Sequence, residues 1–374
     1  MIAALKRAYA NFRGFDEAGS TVPMMDGPLK PNTLLDSAPI LLALPEVDNL
    51  LAAPGGLFCS SGAELLSLSM GEAPSLKLAI AGRLALPAAI TCLAHDGGQG
   101  MAIGLDGRGL LLQGGRHDGK TIGELAGRRF TCPTAALFLD PDRLLVANGS
   151  AARLAADWKR DLMSRGTSGS LWRIDLAGAK PTATPVAEGL AYPCGLARSA
   201  GEAVLVSEAW RHRLQHLDGG VLQPVLADLP AYPGRITAAA AGGYWVALFA
   251  PRNQLVEFVL REHRYRERML ERIDPAFWIA PSLLSGTSFL EPIQGGARKK
   301  LNIMKPWAPT WSYGLVLGCD AAGRPLASFH SRADGHVHGV TSLAEIEGRL
   351  LAGAKGSGVI VGLDPQAAKA RRAA

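Results

Sequence analysis

The feature that most constrains this chain is an internal repeat. A strand opening with small or polar residues, a Gly- or Asp-containing turn and a second apolar strand recur six times along the 374 residues. The first copy opens at Val47-Asp48-Asn49-Leu50 and the second at Ala89-Ile90-Thr91-Cys92-Leu93, each followed by a Gly-Gly turn. The third opens with Pro133-Thr134-Ala135, the fourth with Pro193-Cys194-Gly195, the fifth with Pro233-Gly234-Arg235 and the sixth with Gly339-Val340-Thr341. Most copies continue into a third strand, such as Ser170–Ile174, Arg213–Leu217 or Val359–Leu363. Several short strands per unit of roughly 40–50 residues is the pattern of a propeller blade, and radial repetition covers both faces of every sheet. The expected fold class is all-β, a six-bladed β-propeller over residues 39–366, after an N-terminal segment 1–38 and before a basic tail 367–374.

In a propeller the innermost strand of each blade starts at the central channel. Asp48, Asn49, Thr91, Thr134, Cys194, Arg235 and Thr341 stand at those starts, so a ligand at the channel mouth is expected to meet them. Two insertions break the period. Residues 151–169 include Ala155–Leu162, which reads as a short helix. Residues 253–309 carry Leu255–Ile273, amphipathic with Arg and Glu on the polar side, then a Pro- and Gly-rich stretch. A long insertion at a blade end serves as a lid, a partner surface or a membrane flap, and the mixed charge argues against the membrane. Self-association through 253–309 is the expectation for a protein partner.

Composition narrows the classes further. With 48% hydrophobic residues the chain is too apolar to stay unfolded. No apolar run approaches the roughly 18 residues of a membrane span, and Met1–Arg7 lacks a secretory pattern, so a cytoplasmic location is expected. Lys and Arg exceed acids by 39 to 33, a net charge of +6, but the excess is thin. Its densest runs are Arg261–Arg272, where acids interrupt it, Lys299-Lys300 and Lys369–Arg372, and no nucleic-acid partner is expected. The five cysteines are far apart and form no CxxC pair, which argues against a zinc ribbon or a disulfide framework.

The order and spacing of several segments resemble strictosidine synthase-like propellers, within the wider group of paraoxonase and gluconolactonase-type proteins. They are Gly27–Thr33 with Pro45-Glu46, Tyr192–Leu196 through Val206-Ser207-Glu208, Leu229–Pro233 through Gly242–Leu248, and Ser328–Gly335 through Gly348–Gly353. The resemblance covers about residues 25 to 365. It implies a hydrolase of lactones or aryl esters with one Ca2+ held at the channel mouth by Glu, Asn and Asp side chains. This chain departs from that ligand set: Cys194 stands at the Asn of the fourth blade, Gly234-Arg235 at the Asp-Asn pair of the fifth, and Thr134-Ala135 at the Asn-Asp of the third. Glu46 and Asp48-Asn49 alone keep hard oxygen ligands, so no metal cofactor is expected.

Arg235 puts a fixed cation where the resemblance implies a metal ligand. It either binds an anionic group of a ligand or pairs internally with Asp48 or Glu46. Cys194 reads as a nucleophile if a base lies near, and as a small buried thiol otherwise. His330, His336 and His338 form the densest imidazole group, suited to zinc or acid–base work if they converge and to an exposed hairpin if they do not. His338 lies nearest the channel register. The expected function is hydrolysis of a small lactone or ester, with Asp48, Arg235 and His338 as catalytic residues and Glu46, Asn49, Thr134, Cys194 and Thr341 contacting the small-molecule ligand. The alternatives are a non-catalytic small-molecule binder and a metal-free condensation of an amine with an aldehyde.

Overall fold

Strands near the propeller axis have to be apolar on both faces, because neighbouring blades cover each side. Val204–Glu208 is buried at all its positions, as is Gly314–Cys319, whereas the outer strand Leu78–Ala85 alternates and ends exposed. The computed structural model describes residues 22–71, 77–199, 203–287, 291 and 312–370. Met1–Arg7, Gly201, the Lys299-Lys300 pair and Arg371-Arg372 of the basic tail lie outside the described residues, as does most of the second insertion beyond residue 287.

The strands form six four-stranded antiparallel sheets, the blades of a β-propeller. Their inner strands are Val47–Ala53, Ile90–His95, Pro133–Asp140, Pro193–Arg198, Ala231–Ala238 and Val340–Ile346, here numbered blades one to six. Blade six is completed from the other end of the chain: Ile40–Ala43 pairs antiparallel with Val359–Leu363 and so closes the ring. Apolar clusters fill the space between adjacent blades. Trp172, for example, is fully buried between blades two and three with Leu110, Phe138 and Leu144.

The segment before blade one is strapped to blade five. The side-chain amide of Asn32 donates to Ser328 O and accepts from His330 N, Ser331 Oγ donates to Asp36, and Leu35 is buried between blades five and six. Both insertions arise from the connection between the second and third strands of a blade, in blades three and five. The first contains a 3-10 turn, Ala155–Asp157, and the helix Trp158–Met163. The amphipathic run in the second is two helices, Gln254–Arg261 and His263–Arg272, broken where Glu262 leaves helical geometry at ψ 79°. Asn253 starts the first of them by accepting the Leu255 N–H on its side chain. Arg160 ties the two insertions together, donating to Leu270 O and stacking its guanidinium 4.7 Å from the Trp278 ring. No helix among the described residues is long and apolar enough to cross a membrane.

Candidate functional site

Each inner strand slips register against its neighbour close to its start. The slips fall between Asp48 and Leu51, Ile90 and Cys92, Pro133 and Ala135, Pro193 and Gly195, Pro233 and Ile236, and Val340 and Ser342. A bulge frees one residue from the ladder and re-aims its side chain. Repeated in all six blades, it turns Asp48, Thr91, Thr134, Cys194, Arg235 and Thr341 onto one cavity of about 350 Å³ at the channel mouth. In each blade the second strand runs back to the same end, so the connection after it also opens there. Those connections add Asp106, Trp158, Trp210 and Lys355 to the lining.

Polar groups lock the ring of inner strands. Asn49 Nδ2 donates to Ile90 O, Thr134 Oγ1 to Pro193 O at 2.6 Å, the Cys194 thiol to Pro233 O at 3.2 Å, and Thr237 Oγ1 to Leu343 O. Thr341 Oγ1 joins blade six to blade one by donating to Asp48 Oδ1 at 2.8 Å. Arg235 spans the channel. From blade five its Nη1 donates to Asp48 Oδ1 at 2.7 Å and to Thr341 O at 3.0 Å, and its Nη2 donates to Thr91 O at 2.6 Å. One guanidinium thus binds blades one, two and six.

Asp48 also takes Lys355 Nζ on its Oδ2 at 3.1 Å. Burial alone pushes its carboxyl up, but Arg235, Lys355 and the hydrogen bonds from Thr341 and Asn49 outweigh burial and hold it at about 2. The carboxylate is a fixed anion and a poor proton acceptor at neutral pH. Burial pushes the Cys194 thiol up to about 11, so the buried-thiol reading fits and the nucleophile reading does not. Asp106, the second carboxylate on the cavity, accepts the Ala155 and Ala156 N–H groups and holds the first insertion in place.

Three expected contacts do not reach the cavity. Glu46 sits in the preceding turn at φ +54°, exposed on the surface, and forms no pair with Arg235. Asn49, also left-handed at φ +54°, is turned into the blade, where its amide donates to Ser60 Oγ and Ile90 O. His338 precedes Gly339, whose φ of +67° turns the chain, and its buried ring points away from the channel. Its Nε2 faces Arg332 O at 2.8 Å and therefore carries the hydrogen, leaving Nδ1 to accept from Ser312 Oγ at 2.7 Å. Its expected role in activating water has no geometry to support it. Nor do the three histidines converge. His330 is buried against Tyr313 and Ser328, while His336 is exposed beside Asp36.

The residues that sequence reasoning missed share one origin. Lys355, Trp210, Trp158 and Asp106 follow second strands, and attention to inner-strand starts alone passes over them. Tyr192 and Phe249 complete an aromatic wall with Trp158 and Trp210. Tyr192 stacks on Trp210 at 4.4 Å between centroids, Trp158 lies 6.2 Å from Trp210 in near-parallel orientation, and Phe249 meets Trp158 edge-on at 5.6 Å.

A family-type calcium site does not fit these residues. Calcium takes six or more oxygens, and here Asp48 is already bonded to a guanidinium and an ammonium while Asp106 accepts two backbone N–H groups. The remaining positions offer a thiol, a glycine and a threonine hydroxyl already donated to a carbonyl. Among the described residues no group of three or more His, Cys, Asp and Glu side chains is placed to hold a metal ion.

No protein-family model matches the sequence, and no curated protein matches it either. Among solved structures, the chain is similar to a gluconolactonase from Xanthomonas campestris, with a TM-score of 0.53 and 13% identity over 87% of each chain. A calcium-binding protein, regucalcin, from Agrobacterium tumefaciens superposes with a TM-score of 0.48 and 14% identity, covering 89% of this chain and 93% of its own. The likeness is one of fold, a six-bladed propeller. The strictosidine synthase-like assignment has no support beyond the sequence resemblance.

Proposed function

We propose that the chain binds a small carboxylate-bearing molecule at the mouth of the propeller channel without a metal ion. One observation carries this reading: two cations, Arg235 and Lys355, converge on the single carboxylate of Asp48 at the edge of the cavity. This three-residue cluster holds one positive charge in excess, and Asp106, the other carboxylate on the cavity, is bonded to the Ala155 and Ala156 N–H groups of the first insertion. Arg235 makes three hydrogen bonds within the protein and its Nε is buried without a partner, whereas Lys355 makes one ion pair and keeps 38% of its side chain exposed. An ammonium has three N–H donors, so Lys355 can take an oxyanion while it keeps Asp48.

The second reading is hydrolysis of a lactone or ester, suggested by the gluconolactonase with the similar fold. Lys355 or Arg235 would then stabilise the carbonyl oxygen, and the hydroxy acid produced would carry the carboxylate that the first reading requires. A general base works best with a pKa near the operating pH. Among the described residues on the cavity, Asp48 lies far below it, Cys194 lies far above it and Asp106 is occupied by backbone donors. Binding is thus the better-supported reading.

The test is calorimetric titration of the protein with small carboxylates in buffer containing chelator, repeated on Lys355→Met, alongside a panel of lactones and aryl esters. Removing a charged hydrogen-bond partner should weaken carboxylate binding about tenfold or more. We expect that loss and no turnover. Chelator-insensitive turnover would establish the hydrolase reading in its place, and absence of binding by every carboxylate would overturn the proposal.

A further inference from the structure

We infer that the ligand of this cavity is a planar aromatic carboxylate, its ring laid on the Trp158–Trp210–Tyr192 wall and its carboxylate on Lys355. The inference rests on the reading that the cavity binds a carboxylate and names the body attached to it. The lining is chemically divided. Blades six, one and two contribute the polar Lys355, Asp48, Thr91 and Thr341, with Ala89 and Ile90 beside them. Blades three, four and five, with the first insertion, contribute Trp158, Tyr192, Trp210 and Phe249. A purely ionic ligand would leave the aromatic wall wet, and a purely apolar one would strip water from the charged cluster without replacing it. A molecule with an anion at one end and an apolar body at the other satisfies both.

The geometry of the wall selects a flat body. Tyr192 and Trp158 both stack on Trp210, their ring planes 27° and 29° from its own, and Phe249 meets Trp158 at 80°. Aromatic rings gain from offset-stacked and edge-to-face contacts beyond the area they bury, worth roughly three- to tenfold in affinity. Volume sets the upper size. A cavity of about 150 Å³ accommodates one benzene ring. At about 350 Å³ this one has room for two fused rings and a carboxylate.

Three probes isolate the terms: 2-naphthoate, its saturated counterpart decalin-2-carboxylate, and the uncharged 2-naphthamide. Binding is followed by calorimetry and by quenching of tryptophan fluorescence, since two tryptophans form the wall. The wild type should bind naphthoate at least about threefold tighter than the saturated acid and about tenfold tighter than the amide. Trp158→Leu should erase the first preference while leaving affinity for the saturated acid nearly unchanged, and Lys355→Met should weaken both acids alike. If the saturated acid binds as tightly as naphthoate to the wild type, the aromatic assignment fails while the carboxylate reading stands. If neither acid binds, or Lys355→Met changes nothing, the carboxylate reading itself fails. The comparison of ligands on unmodified protein needs no variant to fold.

Discussion

The two halves of the channel mouth are built from the same bulged strand starts yet differ in chemistry. On blades six, one and two the bulges and the neighbouring connection carry Thr341, Asp48, Thr91 and Lys355, and polar contacts bind the strands to each other. On blades three, four and five they carry Thr134, Cys194 and a glycine, and bulk comes from aromatic rings borne on connections and second strands. Arg235 joins the halves, rooted in the apolar one and bonded wholly to the polar one. A guanidinium ties three blades by hydrogen bonds and leaves the opposite half free to specialise in apolar recognition.

The largest effect should come from breaking the polar half. Asp48→Asn keeps the shape but leaves Arg235 and Lys355 without their counter-charge, and removing one partner of a buried pair costs about 3–5 kcal/mol. Chemical denaturation would read that loss, and a change within experimental error would show that the halves are not joined through this pair. The same carboxyl gives a pH signature. Its pKa is about 2 in the folded protein against the usual 3.8, so its ionised form favours the folded state. That stabilisation is complete above roughly pH 5 and drains away as the pH falls from about 4 through about 2. Acid unfolding of Asp48→Asn should lack this segment.

A smaller effect tests the apolar half. A Cβ on Gly195 would stand 2.4 Å from Gly234 O and 2.9 Å from Ile236 Cγ1, wedging blade four away from blade five. Gly195→Ala should therefore cost about 1–3 kcal/mol by overpacking. Equal stability to wild type in thermal unfolding would mean that the two blades are not closely packed at this point.

Lys355→Met separates binding from stability. The ion pair is part-exposed and solvent-screened, so its loss should change stability by less than about 1 kcal/mol while carboxylate affinity falls about tenfold. The smallest effect is expected at Cys194. Because the thiol is buried and held at about 11, it should resist alkylation at pH 8 and Cys194→Ala should bind carboxylates as the wild type does. Rapid modification that abolishes binding would restore the nucleophile reading.

The register of the channel was legible because a bulge position is marked by small or polar residues at fixed offset from the blade's start. Thr91, Thr134, Cys194, Arg235 and Thr341 all carry that mark and all face the cavity. Side-chain direction next to a bulge was not legible. Asp48 and Asn49 are adjacent, yet one faces the channel and the other lies within the blade, because the left-handed backbone at Asn49 rotates its side chain out of line. Proximity misled at His338 for the same reason, with Gly339 reversing the chain just after it. The aromatic wall was hidden differently. Trp158 and Trp210 come from separate connections, and only the return of every second strand to the same end brings them together. That return is a regular property of the blade, so the residue after each second strand merits the same attention as the start of each first.

Whether Arg235 ties the hub without a metal ion is read most directly by calorimetric titration of Ca2+ into the metal-stripped protein, with thermal unfolding in parallel. No binding heat and no shift in Tm are expected up to millimolar Ca2+, since Asp48 is already held by Arg235 and Lys355. Stoichiometric binding at micromolar concentration with a raised Tm would contradict this, because the ion could reach Asp48 only by displacing Lys355 or Arg235 from it.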